Sequence, residues 1–271
     1  MNLLFTMNKG YMEHVCDCIK SILRFPSEDG YDIYIMHSDL EEQDQILLSG
    51  QVEQENAMLH FVYVDPFWFE VFPESERYPR LIYYRIYAPI LLPKNLDRIL
   101  YLDGDTVVIN PLDSLYNMDF DGNYYLACTH VKRAMNRINQ LRLGTEEDIP
   151  YINSGVMLMN LEELRKNIKE QEILDFVMDK KNFLVLPDQD IISALYGDKI
   201  KIVDTMKYNL SDRMLHAHNS DIRNKKIDID WVRKNSVVIH YYGKQKPWKK
   251  PYFGILNIFY DELKKEEKRH A

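Results

Sequence analysis

The chain has 271 residues, 46% of them hydrophobic and 28% charged, with a formal net charge of −8. That apolar share is ample for a core, and the acidic balance excludes a nucleic-acid binder that works through a basic surface. Cys16, Cys18 and Cys128 offer neither a disulfide framework nor a zinc spacing, so reduced buried thiols in a cytoplasmic protein are expected.

A first strand is predicted over 2–6, too short for the core of a signal peptide, and no apolar run is long enough to cross a bilayer. Val15, Ile19, Ile22 and Leu23 keep helical spacing and predict a helix over 11–24. Strands follow at 31–36 and 59–64, with a polar helical stretch between them. Residues 66–79 read as a loop over the site, whose Phe67, Trp68, Phe69 and Phe72 suit either a lid or a plug on the sheet. A helix over 81–92 stops at Pro93. Buried strands are predicted at 98–102 and 124–129, then a strand at 155–159 that runs into a helix over 161–178. A short helix at 188–196, strands at 200–203 and 236–240, and a last helix over 253–268 complete the chain. The sign alternation of Lys264 to Arg269 reads as a solvated helix face.

Alternating strands and helices imply an α/β fold with a mostly parallel central sheet flanked by helices. No repeat or linker divides the chain, so 1–271 is read as one domain. Within it two halves are expected, roughly 1–110 and 111–252, followed by a C-terminal helix 253–271. Ligands gather at the carboxyl ends of parallel strands, which points to the ends near Thr6, Leu102, Met159 and His240.

Two of those ends carry metal chemistry. Asp103 and Asp105 follow an apolar strand one residue apart, so both carboxylates project the same way and can grip one hard cation. Gly104 between them would let a ligand approach. His240, followed by Gly243 and Lys246, offers a nitrogen ligand and a cation for phosphate oxygens. Two carboxylates and one imidazole suit Mn2+, or Mg2+, better than zinc. Thr6, Asn8 and Tyr11 at the first strand end suit a nucleotide, Tyr11 by stacking on its base, although an ordinary strand-to-helix turn reads the same way. Asn153 and the run Asp188-Gln189-Asp190 put amides and carboxylates at element starts, where they serve either sugar hydroxyls or helix caps.

Together these segments resemble glycosyltransferase family eight, the group of bacterial lipopolysaccharide galactosyl- and glucosyltransferases and of glycogenin. The resemblance rests on Phe5-Thr6-Met7-Asn8 with Tyr11, Tyr83-Tyr84-Arg85, Leu100 to Asp105, Asn153-Ser154-Gly155-Val156, Asp188-Gln189-Asp190, and His240-Tyr241-Tyr242-Gly243 with Lys246-Pro247-Trp248. It implies a GT-A fold with a Rossmann-like nucleotide-binding half, and a retaining hexosyltransferase that uses UDP-galactose or UDP-glucose. By the same resemblance Asp103, Asp105 and His240 hold manganese, Asn8 and Tyr11 meet the uridine, and Gly243 and Lys246 meet the diphosphate. Arg85, Asn153, Asp188 and Gln189 then contact the donor sugar, Gln189 nearest the anomeric centre. Asn8 and His130 stand where the best-studied relatives carry aspartates: the first bears on the uracil or ribose contacts, and the second, near the sugar and acceptor, leaves galactose and glucose both open. The expected acceptor is a glycan, glycolipid or glycoprotein. Location is expected in the cytoplasm, with at most peripheral contact at the inner face of the membrane. Two other classes compete: a haloacid-dehalogenase-type phosphatase, suggested by Asp103 to Thr106, and a non-catalytic sugar-nucleotide-binding protein.

Overall fold

Period-two alternation with both sets apolar makes a strand that buries both faces, and the central strands have this pattern. Leu3 and Phe5, Ile33 and Ile35, and Leu100 and Leu102 join one core; Leu4, Met36, Ile99 and Tyr101 join a second core on the opposite face. A computed structural model describes residues 1–52, 56–131, 133–146 and 149–270. Its strands are β1 (Asn2–Thr6), β2 (Tyr31–His37), β3 (Ala57–Tyr63), β4 (Arg98–Leu102), β5 (Thr106–Val108), β6 (Tyr125–Cys128), β7 (Asn153–Asn160), β8 (Ile200–Ile202) and β9 (Val238–His240). Seven form one sheet in the order β3-β2-β1-β4-β7-β6-β8, and β5 pairs with β9 apart from it.

The sheet is mostly parallel, as expected, but β7 runs antiparallel to both β4 and β6. That reversal corrects the expected site position. The carboxyl end of β4 meets the amino end of β7, with Leu102 opposite Val156, so Asn153 to Gly155 face the site and Met159 lies at the far edge. An apolar run carries no information on strand direction, which is why the sequence pattern missed this.

Several helices differ in extent. The stretch expected at 161–178 is two helices, Leu161–Asn167 and Glu170–Lys180, broken where Ile168 is extended with ψ 132°. The helix expected at 81–92 is a 3-10 helix over Arg80–Tyr87 followed by one α turn, Ala88–Leu91. The last helix starts at Asn257, and helices at Arg133–Leu143, Asp212–Ser220 and Ile229–Asn235 had no clear sequence signal. The terminal helix is less solvated than its charges suggest. Tyr260 and Lys264 both reach the buried Asp17 at 2.7 Å, Glu267 pairs with Lys20 of the helix Met12–Leu23, and Glu266 pairs with Arg24 just after it. The three cysteines are free and buried.

Candidate active site

The turn Asp103-Gly104-Asp105 joins β4 to β5. At the end of β4 the Asp103 N–H donates to Gly155 O at 2.8 Å, which fixes the turn against the start of β7. β5 then pairs with β9 so that Thr106 stands opposite His240, and the Tyr241 N–H donates to Asp105 O at 2.9 Å. This register sets an imidazole beside two carboxylates that lie far from it in sequence. His240 Nε2 is 3.1 Å from Asp105 Oδ1 and 3.6 Å from Asp103 Oδ2. The other oxygen of each carboxylate is engaged. Asp103 Oδ1 accepts from the Tyr101 hydroxyl at 2.7 Å and faces Arg85 at 3.1 Å, and Asp105 Oδ2 is held by the Lys246 ammonium. Asp103, Asp105 and His240 each present a ligand atom, all within 4.8 Å of one another.

A chain of amides settles the tautomer of His240. The Gly155 N–H donates to Asn153 Oδ1 at 3.2 Å, and the Ser154 N–H to Gln189 Oε1 at 3.4 Å. A backbone N–H only donates, so both of those side-chain atoms are oxygens. Asn209 gives its amide N–H to Asn153 Oδ1 at 2.9 Å and turns its own oxygen to His240 Nδ1 at 2.8 Å. Nδ1 therefore carries a proton, and Nε2, buried without a hydrogen-bond partner, is the ring atom left to meet a ligand. Two carboxylate oxygens and this ring nitrogen converge on one point, a donor set that fits a hard divalent metal. Gly155 makes the room: a Cβ there would stand 2.6 Å from Asp103 Oδ2 and run into the His240 ring.

Asn209 was not nominated from the sequence. It is a fully buried residue just after a one-turn helix, Thr205–Tyr208, and no pattern marks a lone asparagine there. Groups that orient a metal-binding histidine commonly govern affinity, so Asn209→Ala is expected to weaken metal binding about 10–100-fold. Titrating manganese against the melting temperature checks this; an unchanged midpoint would remove Asn209 from the site.

Next to this cluster lies Arg85, which is 5% exposed. Its guanidinium carbon lies 4.2 Å from the Tyr101 ring centroid, and Nη1 reaches Asp188 at 3.3 Å and Ser154 O at 3.2 Å. The Ser154 hydroxyl donates to Asp188 at 2.6 Å. Burial raises the Asp188 carboxyl above its ordinary range, against the opposing pull of Arg85. Asn153 Nδ2 donates to Gln189 Oε1 at 2.9 Å, so the amide oxygen of Gln189 is held by two N–H groups.

Thr6, Asn8, Tyr11, Asp188, Gln189, Gly243 and Lys246 all line one cavity of ≈ 1010 Å³ together with Asp103, Asp105 and His240. Thr6 is on its floor, with Oγ1 3.1 Å from the Tyr101 hydroxyl. Tyr11 stands edge-on to His14 and Trp248, with centroids 5.1 and 6.0 Å away. Gly243 has φ +96°, a conformation that favours glycine, and turns the chain toward Lys246. His130 also lines the cavity; its Nε2 donates to Asn209 O at 2.9 Å, and burial pushes the ring down to about 3, so it is neutral.

Some sequence readings change here. Gly104 is required by packing as well as by the site, since a Cβ would stand 2.6 Å from Val15 Cγ2 and 3.2 Å from the Tyr11 ring. Asp188 is not a cap: the helix begins at Pro187 with Leu186 at the cap position. Asp190, inside the helix, instead ties down the segment that leads into it, accepting from the Val185 and Leu186 N–H groups at 2.7 and 3.1 Å. It also accepts from the Tyr151 hydroxyl at 2.7 Å and from Arg142 at 2.8 and 2.7 Å, so its role is structural. The aromatic loop divides: Phe69 and Phe72 are buried plugs, Phe67 and Trp68 are exposed, and Glu76 to Pro79 line the cavity.

A family model described as Glycosyl transferase family 8 matches residues 2–251. Lipopolysaccharide 1,2-glucosyltransferase of Escherichia coli is 26% identical over 251 residues, spanning 91% of this chain and 73% of that protein. General stress protein A of Bacillus subtilis (strain 168) is 23% identical over 252 residues, or 92% and 87% of the two chains. The galactosyltransferase LgtC, solved with donor and acceptor sugar analogues, superposes with a TM-score of 0.82 at 22% identity, covering 97% of this chain and 95% of its own. The fold is therefore GT-A. The phosphatase alternative falls with the family match.

Proposed function

The chain belongs to glycosyl transferase family 8, and from that premise we propose that it transfers a hexose, glucose or galactose, from a UDP-sugar to a hydroxyl of a glycan, glycolipid or glycoprotein acceptor, with retention at the anomeric carbon. The observation that carries this reading is the convergence of two carboxylate oxygens and His240 Nε2, with Lys246 beside them. Asp103, Asp105 and His240 would hold Mn2+, or Mg2+ in its place, and such an ion offsets the charge that develops on a departing diphosphate. Lys246 would leave Asp105 for the phosphate oxygens, while the open turn at Gly243 brings backbone N–H groups to them. Asn8 and Tyr11 meet the uridine. Arg85, Asn153 and Asp188 take the sugar hydroxyls, a task for which the Arg85–Asp188–Ser154 network holds them still.

Gln189 bears on how configuration is retained. Its oxygen already accepts two N–H groups, and an amide is a poor nucleophile. That favours attack by the acceptor on the face from which UDP leaves, with Gln189 orienting the sugar and the departing phosphate taking the acceptor proton. A glycosyl adduct trapped on the protein during turnover would overturn it. Among the described residues no helix is long and apolar enough to cross a membrane; a cytoplasmic site of action, with peripheral contact at the inner membrane face, belongs to this proposal. The test is a panel of UDP-sugars with and without manganese, read by melting temperature and UDP release. Metal-dependent stabilisation by UDP-glucose or UDP-galactose is expected, and an equal response to GDP- or ADP-sugars would sink the uridine assignment.

A further inference from the structure

The chain has a net charge of −8, yet its large cavity is lined by more cations than the donor can use. With the cavity read as a hexosyl-transfer site, Lys246 and a divalent ion meet the diphosphate. Arg85 is matched by Asp103 and Asp188, and Arg142 by Asp190. Glu76 and Arg77 cancel in net charge as neighbours on one exposed loop. Arg213, Lys244 and Lys249 also line the cavity, are exposed, and are not ion-paired among the described residues.

Strand order divides these three. β1, whose end leads to Asn8 and Tyr11, and β6 stand on opposite sides of β4 and β7. Lys249 follows Trp248, whose ring is 6.0 Å from Tyr11, and so falls on the nucleotide flank. Arg213 falls on the other. It acts on the ring of His130, two residues past the end of β6, which burial chiefly, and the Arg213 charge in smaller part, keep neutral. The guanidinium therefore finds no counter-charge in that ring. Tyr242 lies against the same ring, with centroids 4.8 Å apart, and the chain runs on through Gly243 to Lys244.

Two orphaned atoms sharpen the chemistry. The Tyr242 hydroxyl is buried without a hydrogen-bond partner. His130 gives its Nε2 proton to Asn209 O, so Nδ1 of the neutral ring is an acceptor, and it too is buried without a partner. Buried polar groups are normally matched, so an unmatched donor and an unmatched acceptor on one cavity wall mark a place that a ligand completes. We infer that the acceptor is an acidic sugar, one that bears a carboxylate or a phosphate: its anionic group lies between Arg213 and Lys244 and accepts from the Tyr242 hydroxyl, and a neighbouring sugar hydroxyl donates to His130 Nδ1. Guanidinium, ammonium and phenol serve either anion. The inference rests on the reading of this cavity as a hexosyl-transfer site. It names the charge class of the acceptor and is silent on which sugar is extended.

The experiment titrates methyl β-glucoside and methyl β-galactoside, the corresponding glucuronide and galacturonide, and the phosphate esters of their primary hydroxyls into the protein, read by calorimetry. Saturating UDP and manganese keep these anions out of the diphosphate site. At least one acidic form is expected to bind at least about tenfold more tightly than its neutral parent, the scale of a charge-assisted hydrogen bond. Preference for the uronides or for the phosphate esters identifies which anion the site takes. The Arg213→Gln/Lys244→Gln double variant alters only exposed side chains, so it should keep its melting temperature and its UDP affinity while the acidic-to-neutral ratio falls to near one. Tyr242→Phe should lower that ratio part of the way. Equal binding of acidic and neutral forms throughout overturns the inference, as does a preference that survives the double variant. Loss of UDP affinity in the double variant as large as its loss of the acidic sugar also overturns it, because the two cations then serve the donor. UDP-sugar hydrolysis without acceptor is run in parallel: its absence for every donor strikes the proposed function, whereas hydrolysis with no acidic preference strikes this subsite alone.

Discussion

Asp105→Asn is expected to lower hexosyl transfer by at least about three orders of magnitude, or several kcal/mol of barrier, with the fold intact. The substitution keeps the shape of the side chain and removes one of the two carboxylates that meet His240 Nε2. Asp105 Oδ1 lies 3.1 Å from that nitrogen, and its second oxygen holds Lys246, so one change loosens both the metal cluster and the cation placed for the leaving group. UDP release measured across a manganese titration is the assay, with melting temperature as the control for folding. The manganese-dependent stabilisation by UDP-sugar should vanish together with turnover. Activity within tenfold of the parent would mean that this cluster is not where catalysis takes place.

Asp190→Ala should act on stability instead, costing about 3–5 kcal/mol, because it breaks a buried ion pair and strands the groups that met it. Asp190 is fully buried and serves Arg142, the Tyr151 hydroxyl and two backbone N–H groups. Chemical denaturation gives the number, and a loss below about 1 kcal/mol would show that water takes over these contacts. Asp188, two residues earlier, is expected to behave in the opposite way. Burial holds its folded carboxyl above the unfolded value, so ionisation costs stability as pH rises from the unfolded value through the raised one. Asp188→Asn should therefore be neutral or slightly stabilising at neutral pH, with transfer reduced. Two aspartates in one tripeptide thus separate by environment into a proposed sugar contact and a structural hub.

The strands that could be recognised beforehand were those whose residues bury both faces, such as Leu3 to Phe5 and Ile99 to Leu102. Local signals also marked the Asp103-Gly104-Asp105 turn and the glycine at 243. Helix limits were less legible: the break at Ile168 and the late start at Asn257 depend on what each segment packs against. The split of Asp188 from Asp190 was hidden because a carboxylate near a helix start reads the same whether it caps, pairs or waits for a ligand. Asn209 was hidden more deeply, since its importance lies in bridging His240 and Asn153, 31 and 56 residues away.

By itself the sequence determined the residue types of this site, the buried strands that present them, and the family to which their order belongs, because spacing along an extended chain sets which side chains share a face. Only the tertiary structure decided which atoms meet. The antiparallel turn of β7 and the register of β5 on β9 bring His240 to the two aspartates, and the amide chain through Asn209 leaves Nε2 as the free donor. Such contacts form between distant segments, and their geometry is set by packing and hydrogen bonding that no local pattern encodes.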